Sequence, residues 1–117
     1  EVEEVASLAD SLGGGIGTDN RFSFEMCRAL LDDHVVVTEA EIYSAMQSLY
    51  YEDRMVAEGA SVVGIAALRS DRLAALKGPV ATILTGRNVD MAAFTDVVAG
   101  RDIRLGDLTL EGRPYAA

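Results

Sequence analysis

The stretch from Ala60 to Leu68 constrains the fold of this chain more than any other, because nearly every residue in it is apolar or small. A helix with an apolar surface all round has no face for solvent, and it is expected to be buried on every side. The chain has 117 residues, enough for one modest core but few for enclosing such a helix. We therefore expect further structure to cover it.

Two short apolar runs predict buried strands. His34–Val37 is rich in β-branched residues, and Val80–Leu84 follows a break at Gly78–Pro79. With the helices around them, the order is helix, strand, helix, helix, strand, helix, which indicates an α/β fold with a parallel sheet. Two or three strands leave the edges of such a sheet without partners. We expect an incomplete parallel sheet flanked by helices, as part of a larger domain.

Local patterns predict the remaining elements. Apolar residues recur at helical spacing from about Asn20 to Leu31, after a glycine-rich loop at Gly13–Gly17. A second helix should start at Thr38, where Thr-Glu-Ala-Glu has the spacing of a capping box. A short helix is predicted at Met91–Val98, followed by a loosely packed tail or an edge hairpin in residues 100–117.

Charge and cysteine content exclude several classes of function. The formal charge is -9, so nucleic acid and anionic membrane surfaces are not expected as partners. No apolar run is long enough to cross a bilayer. Cys27 is the only cysteine, which excludes an internal disulfide and a multi-cysteine metal site and fits a reducing cytoplasm. The first residue is Glu1 and not methionine, so we expect a piece of a longer protein.

Three segments in register resemble a known family. They are Ser7–Gly17 (SLADSLGGGIG), Glu58–Ala60 (EGA) and Leu84–Asp90 (LTGRNVD). In this order and at this spacing they resemble the C-terminal third of the serine/threonine dehydratases. These are pyridoxal-phosphate-dependent lyases of the second fold type, related to tryptophan synthase β. The likeness is strongest to the dehydratases of hydroxyectoine utilisation and extends through Val98–Asp102 to near the end of the chain.

The resemblance implies a domain division, a reaction and partners. Residues 1–99 would be the C-terminal portion of the large domain of fold type II, and residues 100–117 a C-terminal tail. The intact enzyme would bind pyridoxal 5'-phosphate and eliminate water from a small hydroxy amino acid, as a threonine ammonia-lyase does. Its partners would be the N-terminal part of the same enzyme and further copies in a homo-oligomer. An amino-acid racemase of the same family, or a non-catalytic module that keeps this part of the fold, is the alternative.

The resemblance also implies cofactor-binding residues: Ser11, Glu58, Thr85 and Gly86. The segment with Ser11 would border the cofactor, although many relatives have glycine there, and Glu58 would lie beside the cofactor ring. Thr85 would donate a hydrogen bond to the pyridine nitrogen, because a hydroxyl can bond a neutral nitrogen without charging it. Considered without the resemblance, Thr85 caps a strand end, Glu58 is solvated and the glycine loop is an ordinary connection.

Catalytic residues are not expected in this chain. The resemblance implies that the Schiff-base lysine, the cradle for the cofactor phosphate and any metal-binding carboxylates lie upstream. Lys77 is the only lysine, and it does not match the catalytic motif, so the chain alone should be inactive. Cys27 and His34 are interpreted as structural, since no third group orients them. Arg87 replaces a glycine common in the family and would either narrow the cofactor site or face away from it.

Overall fold

A computed structural model describes residues 3–116 of the chain. In this part there are four α-helices and one two-stranded sheet, together with 3₁₀ turns at Asp10–Leu12 and Gly59–Val62. The helices are α1 (Ser23–Leu30), α2 (Glu39–Asp53), α3 (Val63–Arg69) and α4 (Met91–Val98), and the strands are β1 (Ile103–Leu105) and β2 (Leu108–Leu110). None of the helices in residues 3–116 has both the length and the hydropathy that a membrane crossing requires.

Helix α2 begins where the capping box predicts. The hydroxyl of Thr38 accepts a hydrogen bond from the backbone N–H of Glu41 at 3.3 Å, and the Glu41 carboxylate accepts from the backbone N–H of Thr38 at 2.6 Å. Each interaction satisfies an amide that lacks a partner inside the helix. The helix ends at Asp53, and the next residue, Arg54, has a φ of 60° in the left-handed region.

Acidification is expected to weaken this helix start. A hydrogen bond from Arg72, followed by the one from the Thr38 backbone, lowers the pKa of Glu41 from 4.5 to about 2. A depressed pKa in the folded chain adds stability that is present above pH 4.5 and is lost as the pH falls toward 2. We expect NMR titration to place the midpoint of the Glu41 carboxyl near 2, and Glu41→Gln to weaken the dependence of stability on pH in this range. A midpoint near 4.5 would contradict the prediction.

The core is built around α2. Its buried face packs on the Gly59–Val62 turn, α3 and α4. Phe94 meets the ring of Tyr50 edge to face with centroids 5.6 Å apart. The buried apolar residues come from these elements, from the segment just before the turn and from β1. They include Ile42, Tyr43, Ala45, Met46, Leu49, Ala57, Ala60, Val62, Ala66, Phe94, Val97 and Ile103.

The apolar stretch from Ala60 to Leu68 does not form one continuous α-helix. It starts as the Gly59–Val62 turn, which is wholly buried, and continues as α3, where Ala66 and Ala67 are buried. Leu68 is 39% exposed, so the expectation of burial on every side is wrong for the end of the stretch. Residues 3–116 supply no element that covers this side.

The predicted parallel sheet is absent from the described residues. Neither His34–Val37 nor Val80–Leu84 pairs with another strand, and the sheet in residues 3–116 is the antiparallel β1–β2 hairpin. A buried strand needs neighbours on both sides to bond its amides and carbonyls. Val36 and Ile83, 79% and 80% exposed, have no such neighbours here. The prediction of strands at these two runs is therefore wrong for the described residues.

The C-terminal residues are firmly attached, which corrects the expectation of a loose tail and confirms the alternative, a hairpin. The Tyr43 hydroxyl donates to the carbonyl of Arg101 at 2.8 Å. Tyr115 stacks on Tyr51 with centroids 4.7 Å apart and donates to the Glu52 carboxylate at 2.6 Å. This bond raises the pKa of Tyr115 and lowers that of Glu52. The boundary at residue 99 stays a prediction, and residues 1, 2 and 117 lie outside the described part.

Candidate functional site

A buried serine joins two distant segments of the chain. Ser61 is 2% exposed and lies in the turn before α3. Its hydroxyl oxygen lies 2.9 Å from the Thr85 hydroxyl oxygen. It also lies 2.8 Å from the Gly86 carbonyl oxygen and accepts a hydrogen bond from the Gly86 N–H at 2.6 Å. These contacts fix the turn that carries Thr85 and Gly86.

Glu58 lies against the same turn. Its backbone N–H donates to the carbonyl of Gly86 at 3.3 Å. A methyl group built on Gly86 would stand 2.8 Å from the nearest carboxylate oxygen of Glu58, so the carboxylate covers the α-carbon of that glycine. Three of the four residues that the resemblance implies, Glu58, Thr85 and Gly86, are therefore brought together. Thr85 is exposed and Glu58 is half-buried, which leaves the group open on one side.

Gly59 and Gly64 allow two other segments, at Leu8 and Thr82, to pack closely against the turn before α3 and against α3 itself. A methyl group on Gly59 would stand 2.1 Å from the carbonyl oxygen of Leu8, and one on Gly64 would stand 2.0 Å from the hydroxyl oxygen of Thr82. The backbone at Leu8 and the side chain of Thr82 can approach so closely only because Gly59 and Gly64 carry no side chain. Residues 7–8 are anchored separately, since the Ser7 hydroxyl and the Leu8 N–H both bond the Glu39 carboxylate, at 2.6 and 2.8 Å.

Ser11 lies at the edge of this arrangement. It belongs to the Asp10–Leu12 turn, which packs on the Gly59–Val62 turn. Its side chain is exposed, and its N–H bonds the carboxylate of Asp10 at 2.7 Å. The hydrogen bonds of the described residues do not join Ser11 to the other three predicted residues. The loop that follows is confirmed, with Gly14 and Gly17 at φ values of 97° and 77°.

Ser61 is the residue that sequence reasoning missed. It is the single polar side chain between Gly59 and Ala67, and a hydroxyl in an apolar stretch needs a hydrogen-bond partner once it is buried. That signal was available, because every other residue of the stretch is apolar or glycine. What the sequence does not give is the partner, which lies 24 positions away in the chain.

The other candidate residues lie apart from this group or point outward. Cys27 and His34 are both exposed and line one surface groove beside α1, together with Asp33. Arg87 and Lys77 are exposed as well. Within residues 3–116, no cluster of three His, Cys, Asp or Glu side chains is placed to hold a metal ion.

The group formed by Glu58, Ser61, Thr85 and Gly86 can present one neutral hydroxyl to a ligand. Thr85 is exposed while its oxygen is held by buried Ser61, so the position of that oxygen is set by the fold. A hydroxyl in this setting can donate to, or accept from, a ring nitrogen. Gly86 leaves room for close approach, and the Glu58 carboxylate lies beside it. This donor set fits the pyridine ring of pyridoxal 5'-phosphate.

Comparison with known proteins defines the class. Residues 1–86 match the family described as pyridoxal-phosphate dependent enzyme, and the chain belongs to that family. Membership is consistent with an α/β fold and implies pyridoxal phosphate in the intact enzyme.

Among curated proteins, the chain is similar to threonine dehydratases. It is 51% identical over 100 residues to a Sinorhizobium fredii protein provisionally named a threonine dehydratase. The matched region is 86% of this chain and 30% of the relative. It is 32% identical over 114 residues to the L-threonine ammonia-lyase of Geobacter sulfurreducens, covering 90% and 27%. The catabolic L-threonine dehydratase of Escherichia coli K12 is 31% identical over 95 residues, covering 80% and 28%. The chain therefore spans less than a third of each relative.

Proposed function

We propose that this chain is the C-terminal segment of a serine/threonine dehydratase, an ammonia-lyase that eliminates water from a hydroxy amino acid. The products would be a 2-oxo acid and ammonia, after hydrolysis of the imine. Family membership and the names of the relatives support this reaction class. The observation that carries the proposal is the Thr85 hydroxyl, held 2.9 Å from buried Ser61 beside Glu58 and Gly86.

Each residue of the group has a defined part in this proposal. Thr85 would bond the pyridine nitrogen of the cofactor, Glu58 would lie beside the ring, and Gly86 would let the ring approach the backbone. Ser11 would border the cofactor from the Asp10–Leu12 turn. Pyridoxal phosphate, when bound, supplies an electron sink, and a neutral ring nitrogen makes that sink weaker, which suits β-elimination. A hydroxyl at position 85 favours the neutral nitrogen, because it carries no negative charge that would stabilise a proton on the ring nitrogen.

Uncovered apolar surfaces support a larger parent enzyme that completes the sheet. Helix α1 has no buried residue. Phe22, just before the helix, is 86% exposed, and Leu30, its last residue, is 71% exposed. Val36 and Ile83 are equally uncovered. Exposed apolar patches, where they are contiguous, mark interfaces. The proposed occupant is the N-terminal part of the same enzyme, which would also bring the Schiff-base lysine, so the 117-residue chain alone would be inactive.

The finer assignments rest on the resemblance of the motifs. They are hydroxyectoine breakdown as the pathway and a homo-oligomer as the assembly, whereas the cytoplasm as the compartment rests on the single cysteine, Cys27. A racemase of the same family is the alternative within the enzyme class, and product analysis separates the two, since a racemase returns the other enantiomer without ammonia. A non-catalytic module is the alternative outside it. Cooperative unfolding of the monomeric 117-residue chain would favour that module.

Substitution of Thr85 in the intact enzyme tests the proposed function. Thr85→Ala removes the only proposed bond to the ring nitrogen, so we expect cofactor affinity and ammonia release from threonine to fall about tenfold or more. Thr85→Ser keeps the hydroxyl and should retain most of both. Cofactor binding is followed by its absorbance band, which we expect in the intact enzyme and not in the isolated chain. Native affinity and activity in Thr85→Ala would overturn the proposal.

A further inference from the structure

We propose that Ser61 is a positioning residue: it donates its proton to Thr85 when ligand is bound, and so directs the Thr85 proton outward to a neutral ring nitrogen. This inference rests on the proposed function and deepens it. It follows from counting the hydrogen atoms and lone pairs available to the contacts of Ser61.

The Ser61 hydroxyl makes more contacts than it has protons. A serine hydroxyl carries one hydrogen and two lone pairs. The Gly86 N–H can only donate, so its bond at 2.6 Å occupies one lone pair. One hydrogen and one lone pair remain for the Gly86 carbonyl oxygen at 2.8 Å and the Thr85 hydroxyl oxygen at 2.9 Å. The carbonyl can only accept, so at the observed distance Ser61 donates to it; donation to Thr85 is the other arrangement, and it requires the Ser61 and Gly86 oxygens to move apart from 2.8 Å when ligand binds.

In the first arrangement Ser61 donates to the Gly86 carbonyl, and Thr85 donates to Ser61. The Thr85 oxygen then shows only lone pairs to a ligand, which would suit a protonated nitrogen. In the second arrangement Ser61 donates to Thr85, and the Thr85 proton is free to point outward. It can then bond a nitrogen that carries a lone pair, as in a neutral pyridine ring.

The backbone of Glu58 lowers the cost of the second arrangement. When Ser61 releases the Gly86 carbonyl, that oxygen keeps the bond from the Glu58 N–H at 3.3 Å. The carbonyl therefore keeps a donor, and the remaining cost is the movement that separates its oxygen from the Ser61 oxygen. In the first arrangement, by contrast, a neutral nitrogen would meet an oxygen lone pair. A neutral ring therefore selects the arrangement in which both hydroxyls point toward the ligand.

The burial of Ser61 makes the effect specific to its side chain. Ser61 is 2% exposed, so solvent has little access to replace its hydroxyl as a partner of Thr85. Without that hydroxyl, the Thr85 proton would no longer be held in one direction. Ser61 itself need not touch the ligand, since it acts through Thr85.

The ¹⁵N resonance of ¹⁵N-pyridoxal phosphate in the intact enzyme tests the inference, because it reports hydrogen bonding at the ring nitrogen. We expect Thr85→Ala to shift the resonance most and Ser61→Ala to shift it in the same direction by less. Ser61→Ala should also lower cofactor affinity up to about tenfold. Ser48→Ala is the matched control, since Ser48 is 4% exposed and bonds Glu52 on α2. It should leave the resonance unchanged.

The double variant separates positioning from mere packing. Because Ser61 acts through Thr85, Ser61→Ala combined with Thr85→Ala should give the same resonance and affinity as Thr85→Ala alone. Additive losses, or an unchanged resonance in Ser61→Ala, would overturn the inference. If Ser61→Ala fails to fold, Ser61→Cys keeps the size with a weaker donor and should give an intermediate shift. An unchanged resonance in Thr85→Ala would instead refute the proposed cofactor contact.

Discussion

Gly59→Ala is expected to destabilise the fold by about 3 kcal/mol, at the upper end of the usual cost of overpacking. The added methyl group would stand 2.1 Å from the carbonyl oxygen of Leu8 and 2.6 Å from its carbonyl carbon. Both are backbone atoms and cannot turn aside as a side chain can. The segment cannot retreat freely either, because Ser7 and Leu8 are bonded to Glu39. The strain would fall on the turn that carries Ser61.

Gly15→Ala provides the matched control for this substitution. The nearest atom to a methyl group on Gly15 is the backbone nitrogen of Gly17 at 4.0 Å, so the same chemical change meets open space. We expect Gly15→Ala to keep the midpoint of thermal unfolding of the intact enzyme, and Gly59→Ala to lower it by several degrees. Cofactor affinity should fall with it, since Glu58 adjoins the displaced residue. Equal midpoints for the two variants would refute the close approach of Leu8.

Elements determined by local interactions could be predicted from the sequence. The capping box at Thr38 fixed the start of α2, because both of its hydrogen bonds join residues three positions apart. Helix α4 occupies Met91–Val98 as predicted, with the Asp90 carboxylate accepting from the N–H groups of Ala92 and Ala93. In both cases the residues that decide the structure are neighbours in the chain.

Pairing and burial could not be predicted in the same way. The apolar runs at His34–Val37 and Val80–Leu84 look like strands, yet a strand is completed by residues far away in sequence. The same limit applies to the site. The family resemblance pointed to Thr85, Glu58 and Gly86, but the role of Ser61 depends on a turn that reaches it only in the folded chain. The choice between a loose tail and a hairpin in residues 100–117 was left open for a related reason, because the attachment depends on a buried side chain of α2.

That side chain is Gln47, and Gln47→Leu is expected to release the C-terminal residues at a cost of about 2 kcal/mol. Gln47 is 3% exposed, and its amide nitrogen donates to the carbonyls of Val97 at 2.8 Å and Arg113 at 2.7 Å. Leucine keeps the volume but removes both donations. Val97 retains a bond from the N–H of Gly100 at 3.0 Å, so the loss falls mainly on Arg113.

Tryptic cleavage measures this release, because Arg101 and Arg104 lie in the attached segment, whereas the bond after Arg113 is protected by Pro114. We expect faster cleavage there in Gln47→Leu, since opening of the segment would cost less free energy. Tyr51→Phe is the control: it removes an exposed hydrogen bond to the Val98 carbonyl and keeps the ring that stacks on Tyr115. An exposed hydrogen bond of this kind contributes little to stability, so the cleavage rate of Tyr51→Phe should stay close to that of the parent protein. Equal cleavage rates for Gln47→Leu and Tyr51→Phe would contradict this prediction. The side-chain amide of Gln47 would then contribute nothing measurable, and the attachment would have to come from the tyrosine stack and the hairpin.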